Sequence, residues 1–567
     1  MAPETRRTLL RHGLAVDLVI VASGVALLAP GSPLVLFLAF LTAVAISAWF
    51  AEEEAGLAAT AYSVLALTFF FRETVDVATL TAFAATGAAV SAFARAARRI
   101  RRLDAAPAEP EAPEAAAAPA AAARPLADAA PFMIGLPLLI MILYVDISDV
   151  LMERYPVPSL LQPSVALLAF IAFKYREVCR PLSAAVQPPV VMMALYCIVV
   201  YASSSWAFDS YGADKWFSEV VKATIICILA ISVTVSWSAL KRGLNALIVA
   251  CAAMSTISII QVTTGQLLDF FFGIVSLDYG NIYGQYSSGR AAGPPVSDPN
   301  FYGRILLVSI PLAVGLGIAS RGRLRAAYFT AAVIVSAGTL ATYSRGAMIT
   351  LIFMAGLMAV AMRLPVRQAA AGALALLLIV PLLPTGMKER FLTIGTALPG
   401  GGEENEMVDT SVAKRRLLMQ VSFKMFDDHP IGGIGAGNYA ALYDRYAPSI
   451  GMSHRDYTEP GSHEFPHGLY WELASENGIL GLITFCGAAA AALLLVYRAR
   501  QLLLARGENG RAAIASGIGI ALCGYLVASV VLHESHVRYY GLYLGLAAGV
   551  ARLAMGVVHE GPAEAAA

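Results

Sequence analysis

Apolar runs about 20 residues long recur from one end of this chain to the other, and each is long enough to cross a bilayer as a helix. Roughly sixteen can be counted, in a block of about four and a block of about twelve. Composition closes the alternative. Hydrophobic residues make up 58% of the 567 and charged residues 14%, whereas soluble domains carry about 25% charge. A water-soluble fold of this length still exposes a large shell that so few polar residues cannot cover. The expected fold is therefore an all-α polytopic membrane protein of about 16 transmembrane helices (4 + 12), with a large external loop containing short helices.

The first block reads 13–30, 32–50, 56–71 and 76–97. Arg6, Arg7 and Arg11 precede its first run, but no small-residue cleavage site follows, so that run is expected to span rather than to be removed. Arg95, Arg98, Arg99, Arg101 and Arg102 end the block, and an Ala/Pro-rich stretch without apolar periodicity follows them. Such a composition predicts a tether. The expected organisation is an N-terminal four-helix module at 1–103, a cytoplasmic linker at 104–130, a second membrane domain at 131–558 and a cytoplasmic tail at 559–567.

In the second block the runs are 132–150, 159–173, 189–207, 219–240, 243–262, 301–319, 326–343, 346–362, 369–384, 467–497, 511–532 and 539–557. With both termini in the cytoplasm, the short basic clusters fall on the inner side: Arg95–Arg102, Lys174/Arg176/Arg180, Lys241/Arg242, Arg321–Arg325, Arg363/Arg367 and Arg498–Arg511. That is the positive-inside pattern. Two long segments remain outside, 263–300 and 385–466. Loops of that length are uncommon unless functional, so the chemistry is expected on the external face.

Net charge is +1, which leaves no basic excess to hold a nucleic acid. The six cysteines lie in or beside apolar runs, with no CxxC pair, and frame neither a zinc site nor a disulfide scaffold.

Four stretches carry candidate chemistry. Arg290 lies in Gly289-Arg290-Ala291-Ala292-Gly293-Pro294-Pro295, ahead of Asp298-Pro299-Asn300 at a helix mouth. Helix capping accounts for the latter residues, and Arg290 reads either as a solvated loop charge or as a ligand contact. Arg345, in Thr342-Tyr343-Ser344-Arg345-Gly346, joins two apolar runs almost without a polar loop. It either snorkels to the interface or offers its planar fork to an anion.

The long loop carries Arg415 and Arg416 ahead of Leu417, Leu418, Val421 and Met425, the spacing of an amphipathic helix resting on an anionic membrane surface. There follows a glycine-rich turn, His429-Pro430-Ile431-Gly432-Gly433-Ile434-Gly435-Ala436-Gly437-Asn438, by itself a weak sign of phosphate. Beyond Pro466, His467 is expected in the first turn of a helix, with Tyr470 and Trp471 in the interfacial aromatic belt. His467 is an interface residue or a proton acceptor for a hydroxyl. His463, Glu464 and His467 match no metal-ligand spacing, and His533-Glu534-Ser535-His536 with Arg538 is expected to line the same outer cavity.

Taken in order, these stretches resemble the O-antigen ligase and O-antigen polymerase superfamily of membrane glycosyltransferases over residues 132–557. The resemblance rests on Arg290 with Asp298-Pro299-Asn300, Ser344-Arg345-Gly346, His429-Pro430-Ile431-Gly432 with Gly435 and Gly437-Asn438, and His467 with Glu476, Gly478 and Gly481. The residue after the histidine is commonly Asn in that family and is Gly468 here.

The resemblance implies metal-independent transfer without a cofactor on the external face of a bacterial inner membrane. A glycan on a polyprenyl-diphosphate carrier is the implied donor and a glycan or lipid A-core hydroxyl the implied acceptor. Arg290 and Arg345 would bind the diphosphate and His467 would be the base. Arg415, Arg416, Asn438 and Glu476 would support the site, and other polysaccharide-assembly membrane proteins would be partners. The first block more faintly resembles the membrane domain of sensor histidine kinases, with no kinase domain after it. The competing function is a transporter or flippase of lipid-linked sugars, which predicts internal repeats, interrupted helices near the midplane and ionisable residues buried at mid-depth; no clear repeat is found, and the Arg and His positions singled out fall at the outer ends of the runs.

Overall fold

The computed structural model describes residues 130–145, 161–265, 274–278, 289–294, 297–363, 367, 406–450, 465–533 and 537–556. The four-helix module, the linker, the run at 369–384, His463, Glu464, residues 534–536 and the tail lie outside them. Backbone contacts divide the chain into two units, Met1–Pro125 with Ile147–Ser164 and Leu126–Asp146 with Val165–Ala567. All described residues except 161–164 belong to the second.

Helices dominate. They run α1 (Ala130–Val145), α2 (Leu161–Lys174), α3 (Arg176–Cys179), α4 (Pro181–Ala185), α5 (Pro188–Ser203), α6 (Ser210–Val233) and α7 (Trp237–Thr264). A two-stranded antiparallel hairpin follows, β1 (Ser276–Asp278) with β2 (Arg290–Ala292), in which Asp278 faces Arg290. Then come α8 (Pro299–Leu307), α9 (Ser309–Ile318), α10 (Gly322–Ala341), α11 (Arg345–Ala361), α12 (Glu406–Asp428), α13 (Tyr439–Tyr446), a 3₁₀ turn at Ala447–Ile450, α14 (Leu469–Ala505), α15 (Asn509–Ala528) and α16 (Val537–Ala554).

Among the described residues six helices, counting α8–α9 as one, are long and apolar enough to cross a membrane, or seven if the bent α3–α5 segment is one span. The chain is an all-α membrane protein to which the hairpin in the 263–300 loop is a small addition that alternation of apolar residues does not announce. The boundary between α6 and α7 differs from expectation. The run at 219–240 is cut at residues 234–236, where Ser236 takes an extended backbone and its hydroxyl caps the amide of Ala239. Lys241 and Arg242 therefore sit in the opening turns of α7 rather than in a loop.

Close helix packing follows from small residues. On α16, Gly541, Gly545 and Gly549 recur every fourth position and face Ala223 and Ala230 of α6 and Thr234 at its C-terminal cap. A side chain at Gly541 would overlap the Ala223 carbonyl, so the two backbones approach as small-xxx-small pairs do in membranes. Arg538 and Lys222 both reach Glu219 at 2.7 Å, joining α16 to α6 at one end. At the opposite end Arg500 donates to the Ala361 carbonyl and Arg506 to the Ala554 carbonyl.

The loop before α14 has its own core. Leu418, Val421 and Met425 of α12 are buried against Ile434, Tyr439, Leu442, Tyr443 and Ala447, and the Tyr439 hydroxyl bonds the Leu418 carbonyl at 2.7 Å. Each such aliphatic side chain gains about 1.5–3 kcal/mol by leaving water. This corrects the membrane-surface reading of α12. Its apolar stripe has a protein partner, because the glycine-rich turn folds the chain back onto it.

Candidate functional site

Three of the candidate residues, Arg290, Arg345 and His467, belong to segments that meet where α8, α11 and α14 begin. Asp298 accepts from the amides of Asn300 and Phe301 at 2.7 and 3.1 Å and so fixes the start of α8. Asn300 has a different task from capping: its Oδ1 accepts from Arg290 Nη2 at 3.4 Å. Arg290 also donates from Nε to the Thr342 carbonyl at 3.1 Å and lies 3.9 Å from Asp278 across the hairpin. Its side chain is 13% exposed. The hairpin thus aims a largely buried guanidinium at the turn between α10 and α11.

That turn holds Arg345. Tyr343 takes a left-handed backbone, φ +54°, a conformation costly for a bulky residue and often found where a side chain is aimed for function. Ser344 then caps α11 by accepting from Ala347, and Arg345 occupies the first helical position. Its Nη1 is buried with no hydrogen-bond partner. A buried, unmatched N–H costs about 1–3 kcal/mol. At a helix N-terminus, where the backbone dipole already favours negative charge, the arrangement is suited to an anion.

His467 is half-buried and precedes its helix instead of opening it. Gly468 is extended, its amide bonds Pro466, and the Leu469 amide is spent on the carbonyls of Ser529 and Leu532 at 2.9 and 2.8 Å. A Cβ on Gly468 would stand 2.7 Å from the Val530 carbonyl, so a larger residue there would have to displace that segment. The imidazole of His467 lies edge-on to that of His533 at 6.2 Å, and His533 stacks on Phe465 and meets Phe301 edge-on at 4.9 Å. The same segment touches the arginine turn, since a Cβ on Gly346 would lie 2.7 Å from Val531. Arg290, Arg345 and His467 are thereby linked through Asn300, Thr342 and residues 529–533.

Tyr470 and Trp471 are half-buried and each has a protein partner. Tyr470 donates to the Leu526 carbonyl on α15 and Trp471 packs 4.5 Å from Phe423 on α12.

Asn438 and Glu476 belong to a framework beside this cluster. The Glu476 carboxylate, buried at 4% exposure, accepts from the amides of Gly437 and Tyr439 at 2.7 and 2.9 Å. It therefore holds the start of α13. Ile434 and Gly435 donate to the carbonyls of Ser475 and Glu476, and Ile479 donates to Pro430. These backbone bonds require α14 to break at Gly478, φ +63°, where a Cβ would overlap the Ile431 carbonyl. Asn438 ties in α6 by exchanging hydrogen bonds with the backbone of Asp209 at 2.6 and 3.0 Å. The glycine-rich turn is thus clasped by protein. Arg415 and Arg416 stand on α12, half-buried and exposed respectively.

Arg304 escaped sequence reading. It is 2% exposed on α8, donates from Nη1 to Ser529 Oγ at 3.0 Å and to the His533 carbonyl at 3.4 Å, and lies over the rings of Phe301 and Tyr525. A lone charge inside the apolar run 301–319 was the available signal. Among the described residues no group of three His, Cys, Asp or Glu could hold a metal ion.

Residues 330–486 match the family model described as O-antigen ligase. No curated protein matches the chain.

Proposed function

We propose, from the match of residues 330–486 to the O-antigen ligase family model, that the chain transfers or polymerises a glycan carried on a polyprenyl diphosphate. The reaction would take place on the external face of a bacterial inner membrane, with both chain ends cytoplasmic. Sixteen spans in all, with the N-terminal module an accessory to the catalytic domain, complete this reading of the chain.

One observation supports it most: the Arg345 Nη1, buried without a hydrogen-bond partner at a helix start, three residues from the carbonyl that holds Arg290. Breaking a sugar–diphosphate bond places negative charge on the leaving group. Preorganised guanidinium groups in a site shielded from water stabilise that charge, and two of them match the two phosphates without a metal ion.

In this mechanism His467 takes the proton from an acceptor hydroxyl. The hydroxyl oxygen forms a bond to the anomeric carbon, the bond from that carbon to the phosphate oxygen breaks, and the polyprenyl diphosphate leaves with the electron pair between Arg290 and Arg345. Glu476 and Asn438 hold the loop above the site, and Arg415 and Arg416 line its approach. The acceptor is a growing glycan or a lipid A core.

The test uses purified protein in nanodiscs and the lipid-linked glycan fraction extracted from the source cell. His467→Ala is expected to lower the single-turnover rate by about 10²–10⁴-fold while affinity for undecaprenyl diphosphate stays put. An unchanged rate, or lost affinity at normal rate, removes the base assignment. Disruption of the gene separates the two acceptors. Free polymer without attachment to lipid A means ligation, and single repeat units in place of long chains mean polymerisation.

A further inference from the structure

Arg304 occupies a position where a charge is expensive. It is 2% exposed, and a methionine or leucine would fill the same space without the desolvation penalty of a guanidinium. The cost is offset by contacts that only a planar, forked cation makes: one Nη reaches both Ser529 Oγ and the His533 carbonyl while the flat face lies between Phe301 and Tyr525, 4.9 and 4.8 Å from their centroids.

What Arg304 grips is the segment 529–533. From the other side, the same segment accepts the Leu469 amide twice, through Ser529 O and Leu532 O. Leu469 is two residues beyond His467. The segment also carries His533, whose ring is stacked on Phe465 and edge-on to His467. So α8 holds the 529–533 segment through Arg304, and the segment holds both the backbone and the ring environment of His467.

We infer that Arg304 is a positioning residue for His467, fixing the imidazole through residues 529–533 without touching the glycan. This rests on the reading of His467 as the base. Arg304 also stands four residues beyond Asn300, the partner of Arg290, so one rigid helix sets the spacing between the diphosphate end of the site and the proton acceptor. Misplacing a catalytic group by about 1 Å costs on the order of 10²-fold.

The experiment is a double-mutant cycle. In the wild-type background Arg304→Met lowers the single-turnover rate about 10- to 100-fold with undecaprenyl diphosphate affinity unchanged. In the His467→Ala background the same substitution has no further effect, because residues acting as one unit are not additive. A loss that adds fully to that of His467→Ala, or a normal rate in the single variant, overturns the inference. Ser529→Ala, which deletes one hydroxyl, runs through the same cycle and decides the matter if Arg304→Met fails to fold.

A readout independent of turnover accompanies it: the rate at which diethyl pyrocarbonate modifies His467, followed by mass spectrometry. Release of the segment raises that rate several-fold, and an unchanged rate rejects the positioning role. If His467→Ala alone leaves turnover intact, the base assignment fails by itself, and the modification rate still decides whether Arg304 holds His467.

Discussion

Arg290 donates its Nε–H to the carbonyl oxygen of Thr342, 52 residues further along the chain, at 3.1 Å. That bond fastens the β-hairpin to the turn that presents Arg345, so two arginine-bearing segments from distant parts of the sequence are held together by the fold itself. Preorganisation of this kind removes an ordering cost from binding.

Lysine in place of either arginine keeps the charge and loses the fork. Arg290→Lys and Arg345→Lys are each expected to weaken binding of undecaprenyl diphosphate about ten- to a hundredfold, the equivalent of a charge-assisted hydrogen bond of about 1.5–3 kcal/mol. Because both act on one turn, the double variant should lose less than the sum. Titration in nanodiscs measures all three. A lysine variant at wild-type affinity and turnover makes Arg345 an interface anchor.

Glu476→Ala leaves the amides of Gly437 and Tyr439 without their acceptors, and Glu476→Gln keeps only one. The expected outcome is graded destabilisation of about 1–3 kcal/mol per stranded buried donor, with the alanine variant the worse. Limited proteolysis should open the chain within residues 429–439. Equal resistance of all three proteins would show that the clasp contributes little.

Two glycines in helices should behave oppositely. Gly545→Leu places a side chain where Ala230 and the Cys227 carbonyl already stand, so α16 must leave α6 and the melting midpoint in detergent should fall. Gly356→Ala, on α11 with nothing within 4 Å, should hold or slightly raise it, as helical Gly→Ala does by about 0.5–1 kcal/mol. Matching midpoints would contradict the packing described for α16.

Activity should survive a chelator, because the proposed leaving-group stabilisation comes from arginine. Turnover that vanishes with EDTA and returns with one added divalent ion would falsify the metal-independent route.

Much of this architecture was legible because hydropathy is a one-dimensional signal. The starts of α8, α10, α11, α15 and α16 fall within four residues of those read from the runs, and the Asp298 cap was visible from its position before an apolar stretch. The start of α6 was not: Ser210–Val220 is too mixed in polarity to stand out, yet it is helical. The partner of α12 was also hidden, since an amphipathic stripe declares that it needs an apolar surface without declaring which. Glu476 and the glycine-rich turn were recognised separately, and no spacing rule joins residues 39 apart as Gly437 and Glu476 are joined. Arg304 was missed for a different reason: one charge scarcely alters the mean hydropathy of a run, although its cost there made it the most informative residue in the segment.

The miniature core between α12 and the 434–447 segment sets a boundary on change. Because the 406–450 region is folded around its own side chains and seamed to α14 largely by main-chain bonds, its outward surface can be rewritten by substitution without disturbing the helices beneath. Arg290, Arg345 and His467 lie off that region. Over generations, a region of this design can change its outward face while the segments that carry Arg290, Arg345 and His467 stay as they are, as an exchangeable cassette on a fixed chassis.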